Sequence, residues 1–182
     1  MRVHPIIPAL ALAAAFHPTV ARAQQTAHRL EARIVPGIAL QRGIFGDDDP
    51  KTRQATGVTV GGHILARRSE RFAWVFEGVL QPNGLQNPHF DEAVSSLYLQ
   101  FGPEIGRRVH VRPTGGIAVQ GWSGSRSCSC VDTALAAGIA VGVERTVGPE
   151  VRIAPEFFAR GSAAPGIFTS SMGVQVGVGW GR

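Results

Sequence analysis

The 182-residue sequence has no apolar run long enough to cross a membrane as a helix, and no stretch with a convincing helical period. Helical spans are therefore excluded. Lysine is nearly absent: Lys51 is alone, and every other basic residue is arginine. Charged residues make up only 17% of the chain, so the coat of mixed Lys and Glu usual on a soluble domain is missing. Two cysteines, Cys128 and Cys130, cannot build a disulfide framework or close a zinc site by themselves. In Cys-Ser-Cys they read as a loop pair, open to oxidation outside the cytoplasm although strained by the one-residue spacing. What the chain does have is glycine, 23 residues of it, which suits tightly curved strands and turns.

Residues Met1–Ala23 have the order of a secretion signal: Arg2, an apolar stretch over Ile6–Phe16, and the A-x-A site Ala21-Arg22-Ala23. No cysteine follows at a lipidation position, so a lipid anchor is not expected. Cleavage near Ala23 leaves one domain of 159 residues, Gln24–Arg182. Its 16 basic and 13 acidic residues leave +3, mild and scattered, and a nucleic-acid partner is not expected.

A period of two recurs along this domain. In Met172–Arg182, Met172, Val174, Val176, Val178 and Trp180 share one face, and Gly173, Gln175, Gly177 and Gly179 the other. Seven more segments alternate in the same way: His28–Arg42, Ala55–Arg67, Phe72–Gln81, Val94–Phe101, Arg107–Trp122, Ala134–Glu144 and Val151–Arg160. Longer links at Gly43–Gln54, Pro82–Ala93, Ser123–Thr133 and Gly161–Gly166 alternate with tighter ones at Arg68–Arg71, Gly102–Gly106 and Arg145–Glu150. Long connections on one rim and short ones on the other are how outer-membrane barrels are built. Pro36, Pro113 and Pro155 fall inside strands of a barrel without edges, so bulges or bends are expected there.

The two faces differ in chemistry. Glu31, Arg33, His63, Glu77, His110, Arg112, Glu144, Arg152, Glu156 and Arg160 lie in the polar phase, among Gly and Ala. They would make a sparse outer coat on a soluble protein. In a narrow lumen they can pair, and the planar arginine fork suits bidentate contact with carboxylates. Phe72, Trp74, Phe101 and Trp180 lie in the apolar phase near the short-link rim, and Phe157 and Phe168 nearer the other. Together they read as two aromatic girdles. The expected fold class is all-β: a closed, antiparallel, up-and-down transmembrane β-barrel of about eight strands.

With its A21-R22-A23 site, alternating strands, unequal loops and the terminal strand G173-V-Q-V-G-V-G-W180, the mature chain resembles the small outer-membrane β-barrels of the OmpA-transmembrane and OmpX type. The resemblance implies a Gram-negative cell-envelope protein, residing in outer-membrane lipid and inserted by the barrel-assembly machinery. No peptidoglycan-binding segment follows the last strand, so that form of anchoring is not expected.

An eight-stranded interior is just filled by side chains, which argues against a diffusion pore. The charged lumen phase argues against a channel for hydrophobic compounds. Barrels of this size also include lipid A-modifying enzymes, whose Ser–His chemistry would here fall to His89, Asp91, Ser95 and Ser96. Those residues do not reproduce the His-x-Ser-Asn signature of the deacylases, and the chain is read as non-enzymatic. Asp47-Asp48-Asp49 lacks the alternation of a calcium loop. No cofactor, metal or catalytic residue is expected. The expectation is a structural or surface-interaction barrel, closed inside by paired charge, with specificity in its outer loops for an unidentified surface ligand. A lipid-modifying enzyme is the second reading, and a secreted soluble calyx holding a small apolar ligand the third.

Overall fold

The computed structural model describes residues 29–46, 48–87, 92–123, 131–147 and 151–180. Eight long strands carry the fold: β1 (Arg29–Phe45), β2 (Lys51–Ser69), β3 (Phe72–Asn87), β4 (Glu92–Gly106), β5 (Val109–Ser123), β6 (Val131–Val143), β8 (Val151–Ala164) and β9 (Ile167–Trp180). The two-residue β7 (Arg145–Thr146) continues β6 along the same neighbour. Each long strand pairs antiparallel with the next, and β9 pairs with β1, so the sheet closes as an up-and-down barrel.

Closure sets the geometry. Following paired residues once round the wall leads from Ile34 through Gly62, Gly78, Leu99, Ile117, Leu135, Ala163 and Phe168 to Ile44. The path returns ten residues further along β1, a stagger that tilts eight strands by about 40°. At that tilt the exposed apolar run from Leu30 to Leu40 covers about 25 Å of barrel height, the thickness of a lipid-facing belt.

The wall is sorted with its apolar face outward. Leu135 is 77% exposed and Val174 59%, whereas Glu77 and Arg112 are buried. Those valines do not line a cavity, so the soluble calyx is overturned. Alternation decides this, because one phase of every strand must face in, and here that phase carries the charge.

Several boundaries move. Strands run through much of what reads as connection in the sequence: β1 reaches Phe45, β2 begins at Lys51, β3 reaches Asn87 and β4 begins at Glu92. Gly102–Gly106 belongs to β4, and the tight turn is Arg107–Arg108. Gly161–Gly166 is not a long loop: β8 extends to Ala164, and the chain reverses at Pro165-Gly166, with Gly166 at a positive φ of 72°. Proline presets the first of those two residues, and only glycine takes the second without strain.

Nor do the three prolines make bulges. Register is unchanged across Pro36, Pro113 and Pro155. Each instead sits where the ladder to one neighbour is interrupted and its missing N–H has no carbonyl to meet. Pro36 lies in the break between Ile34↔Val178 and Gly37↔Gln175, and Pro113 in the break between Phe101↔Gly115 and Ile105↔Val111. Pro155 lies where β8 passes from β6 to β7. A register shift does occur between Gln81 and Leu85, a segment that reads as a loop in the sequence.

Candidate functional site

Below, "lower" means the end of the barrel with the turns Glu70-Arg71 and Arg107-Arg108. Lumen-facing positions from all eight staves meet in the lower half, where five arginines and five glutamates form one connected network. Arg33 donates through Nε to Glu31 (2.6 Å), and its Nη atoms reach Glu104 and Glu144. Arg67 spans Glu31 (2.8 Å) and Glu144 (2.6 Å). The fork of Arg112 grips both oxygens of Glu156, at 2.9 and 2.6 Å, and also donates to Glu104 at 3.2 Å. Arg152 donates to Glu144 at 2.9 Å. Arg160 lies 3.7 Å from Glu77 and donates to Gln175, with its guanidinium over the Phe158 ring at 4.2 Å. His110 Nε2 is 2.9 Å from Glu156, and His63 Nε2 is 3.4 Å from Glu77.

All ten residues singled out from sequence for a charged interior therefore lie on this network. Arg152 is the most open, at 26% side-chain exposure where the lumen meets the mouth. Glu104 and Arg67 were missed, although both are central. Glu104 shares its phase with Tyr98 and Gln100, but Gly102-Pro103 before it and Gly106 after it read as a turn. Arg67 shares the phase of His63, two steps along β2. Gln175, which donates to Glu156 at 2.7 Å, sits in the polar phase of the terminal strand.

Glycine makes the room. A Cβ on Gly142 would come within 2.6 Å of the Glu156 side chain and 2.7 Å of the Pro155 carbonyl. One on Gly179 would lie 2.8 Å from the stem of Arg33. Gly177 and Gly179 of β9 thus form the slot in which Arg33 lies, and not a nucleotide loop.

Glu104, His110 and Glu156 bring three donor atoms within 4.8 Å of one another, the one such group among the described residues. Two carboxylates and an imidazole can bind a metal in principle. Here Glu104 already accepts from Arg33 and Arg112, and Glu156 from Arg112, His110 and Gln175. The compensating cations are guanidinium groups, and the donor set is not free to take an ion.

Above Arg160 the lumen becomes neutral. Gln81 donates to Ser171 (2.8 Å) and Gln120 to Ser162 (3.0 Å), while Ser162 and Thr169 share a bond of 2.7 Å. Phe45, Leu85 and Val94 form an apolar cluster beyond them.

The residues weighed for catalysis do not assemble among the described side chains. Ser95 is half-buried and Ser96 buried, in opposite phases of β4, while His89 and Asp91 lie outside the described residues. Cys128, Cys130, Asp47 and the segment Met1–Ala23 also lie outside them.

Of the aromatic positions, Trp74, Phe101, Phe157, Phe168 and Trp180 are exposed and Phe72 half-buried. Phe72, Trp74 and Phe101 form one outer-wall cluster, with Trp74 stacked on Phe101 at 5.1 Å. Phe157 is not at the upper rim. Its partners are Val174 and Val141, six residues along β9 from Trp180 and six from Phe168, which places it at mid-wall.

No protein-family model matches the chain, and no curated protein matches it. Solved structures do. Ail, the attachment invasion locus protein of Yersinia pestis, in complex with the heparin analogue sucrose octasulfate, superposes with a TM-score of 0.55 over 83% of this chain and 99% of that one, at 13% identity. Neisserial surface protein A gives 0.53 over 81% and 96%, at 12% identity. At such identities the likeness is one of fold: this chain has the closed eight-stranded architecture of the small outer-membrane β-barrels.

Proposed function

We propose that the chain is an integral outer-membrane β-barrel, non-enzymatic, with a structural or surface-interaction role. The observation that carries this reading is the sorting of the wall: an apolar belt of about 25 Å outside and a network of ion-paired arginines and glutamates inside. A soluble protein would leave that belt in water, and an open pore would not fill its waist with guanidinium and carboxylate. The network closes the lumen, so specificity falls to the connections opposite the lower rim. Ail, of the same fold, is named for attachment and invasion and was crystallised with a heparin analogue; a closed barrel presenting its loops is the corresponding role here. In this reading Met1–Ala23 is removed, the barrel-assembly machinery inserts the remainder, and outer-membrane lipid surrounds it.

Envelope fractionation with gel migration before and after boiling is the test. The protein should enter the outer-membrane fraction, need detergent for solubility and shift on boiling as the barrel unfolds. On intact cells, an impermeant thiol reagent applied after reduction should label Cys128 and Cys130. Recovery in the soluble fraction without detergent overturns the reading, and labelling only after lysis overturns its orientation.

A further inference from the structure

The lower rim carries a second set of arginines that the lumen network does not use. Arg29, Arg68, Arg71, Arg107, Arg108 and Arg145 are all exposed, and Glu70 is the only exposed carboxylate among the described residues there. Glu70 lies 3.2 Å from Arg107; none of the other five has an ion pair with a described residue. Glu144, also at this mouth, is engaged by Arg33, Arg67 and Arg152. Inside the lumen five cations meet five anions; among the described residues of this rim six meet one. The opposite rim is balanced among its described side chains, with Arg42, Lys51 and Arg53 against Asp48, Asp49 and Asp132.

Position matters as much as number. Arg29 precedes the exposed Leu30, Arg71 precedes Phe72, Arg107 and Arg108 precede Val109, and Arg145 follows Val143 by two. Each of these five guanidinium groups thus starts within one or two residues of the apolar belt, about 3–7 Å along a strand. Arg145 falls in the outward phase, with Val143, while Arg68 sits at an irregularity of the β2–β3 ladder and Arg107 in the turn before Val109. The layer just beyond a hydrocarbon belt is the phosphate layer of the bilayer. Guanidinium is the side chain best shaped for phosphate oxygens, through paired N–H donors.

Building on the membrane-barrel reading above, we propose that this arginine collar binds the phosphates of anionic phospholipids in the leaflet at the short-turn end. The collar selects phosphatidylglycerol-type headgroups over zwitterionic ones, and so fixes the depth and tilt of the barrel.

The chain supplies its own reporters, because Trp74 and Trp180 stand on the outer wall near this rim. With Trp122→Phe as background, the protein is reconstituted in phosphatidylcholine vesicles containing brominated phosphatidylglycerol or brominated phosphatidylcholine. Quenching then measures the local lipid preference. Phosphatidylglycerol should be favoured by about fivefold, the scale of one well-placed arginine at an anionic surface. The triple variant Arg68→Gln, Arg107→Gln, Arg145→Gln should abolish the preference, and Arg42→Gln, Lys51→Gln, Arg53→Gln should leave it intact. Equal quenching by both lipids in the parent overturns the collar, as does equal loss in both triples. Competition by inorganic phosphate beyond that of sodium chloride at matched ionic strength would assign the site to a soluble anion and also overturn it. A protein that stays soluble without detergent would overturn the membrane reading itself; one that inserts without lipid preference would overturn only the collar.

Discussion

The lower and upper halves of the lumen share staves, stagger and apolar outer wall, yet they are filled in opposite ways. Below, arginine and glutamate neutralise one another in a largely buried space with, in the proposed setting, hydrocarbon outside. Above, glutamine, serine and threonine form short bonds under the Phe45, Leu85 and Val94 cluster. Buried charge is costly unless paired, so each member of the lower network makes the others tolerable. Neutral hydroxyls and amides lose far less when one partner goes. The difference teaches where the barrel is brittle.

The largest effect should follow from Arg112→Met, which strips a donor from Glu104 and the guanidinium fork from Glu156, leaving it the hydrogen bonds of His110 and Gln175, and removes the cation beside Glu77. A stranded buried carboxylate costs about 3–5 kcal/mol. The midpoint of urea unfolding, read from the gel-shifted folded band, should fall accordingly. The counterpart in the upper half is Gln120→Leu, after which Ser162 and Thr169 still bond each other. Its effect should be about 1 kcal/mol or less. Equal losses would break the contrast.

Packing should repeat it on a smaller scale. At Gly142 an added methyl meets the Pro155 carbonyl at 2.7 Å and a carboxylate stem held by three donors, and neither can give way cheaply. Gly142→Ala should destabilise by about 1–3 kcal/mol. At Gly43, in the upper lumen, the nearest atoms are the far end of the Phe45 ring at 2.6 Å and the tip of Leu85 at 3.0 Å. Those ends can swing, so Gly43→Ala should cost less than half as much in the same unfolding assay.

Much of this division is legible in the sequence. Alternation alone separates Arg33, Glu77, Arg112 and Glu156 from Val174 and Leu135, because a strand offers only two faces. Pairing partners are not legible in this way. Arg33 and Glu144 are 111 residues apart and meet only because the ten-residue stagger brings β1 and β6 to one height across the lumen. Glu104 was hidden by its neighbours: Gly and Pro mark turns in most contexts, but here Pro103 lies in an interrupted stretch of the β4–β5 ladder, and the strand runs on. Pro36 and Pro155 misled in the same direction, since a ladder broken on one side only accommodates a proline with no change of register. Phe157 shows a further limit, because phase gives the face of a residue but not its height.

Tyr98 and Arg160 stand where the two fillings meet, and the smallest predicted effect belongs there. The Tyr98 hydroxyl is 3.3 Å from Thr169, a long bond to an oxygen that Ser162 already holds at 2.7 Å. Its ring lies 5.8 Å from the Arg160 guanidinium, further than the Phe158 ring at 4.2 Å. Tyr98→Phe keeps the ring and gives up one of three bonds at Thr169, where the 2.7 Å bond to Ser162 and the 3.4 Å bond from Gln120 remain. The loss should be about 0.5 kcal/mol, at the low end for a neutral hydrogen bond, and near the resolution of a urea midpoint. A loss on the scale of Arg112→Met would mean that the hydroxyl is tied to the charge network through Arg160, moving the boundary between the halves above Tyr98.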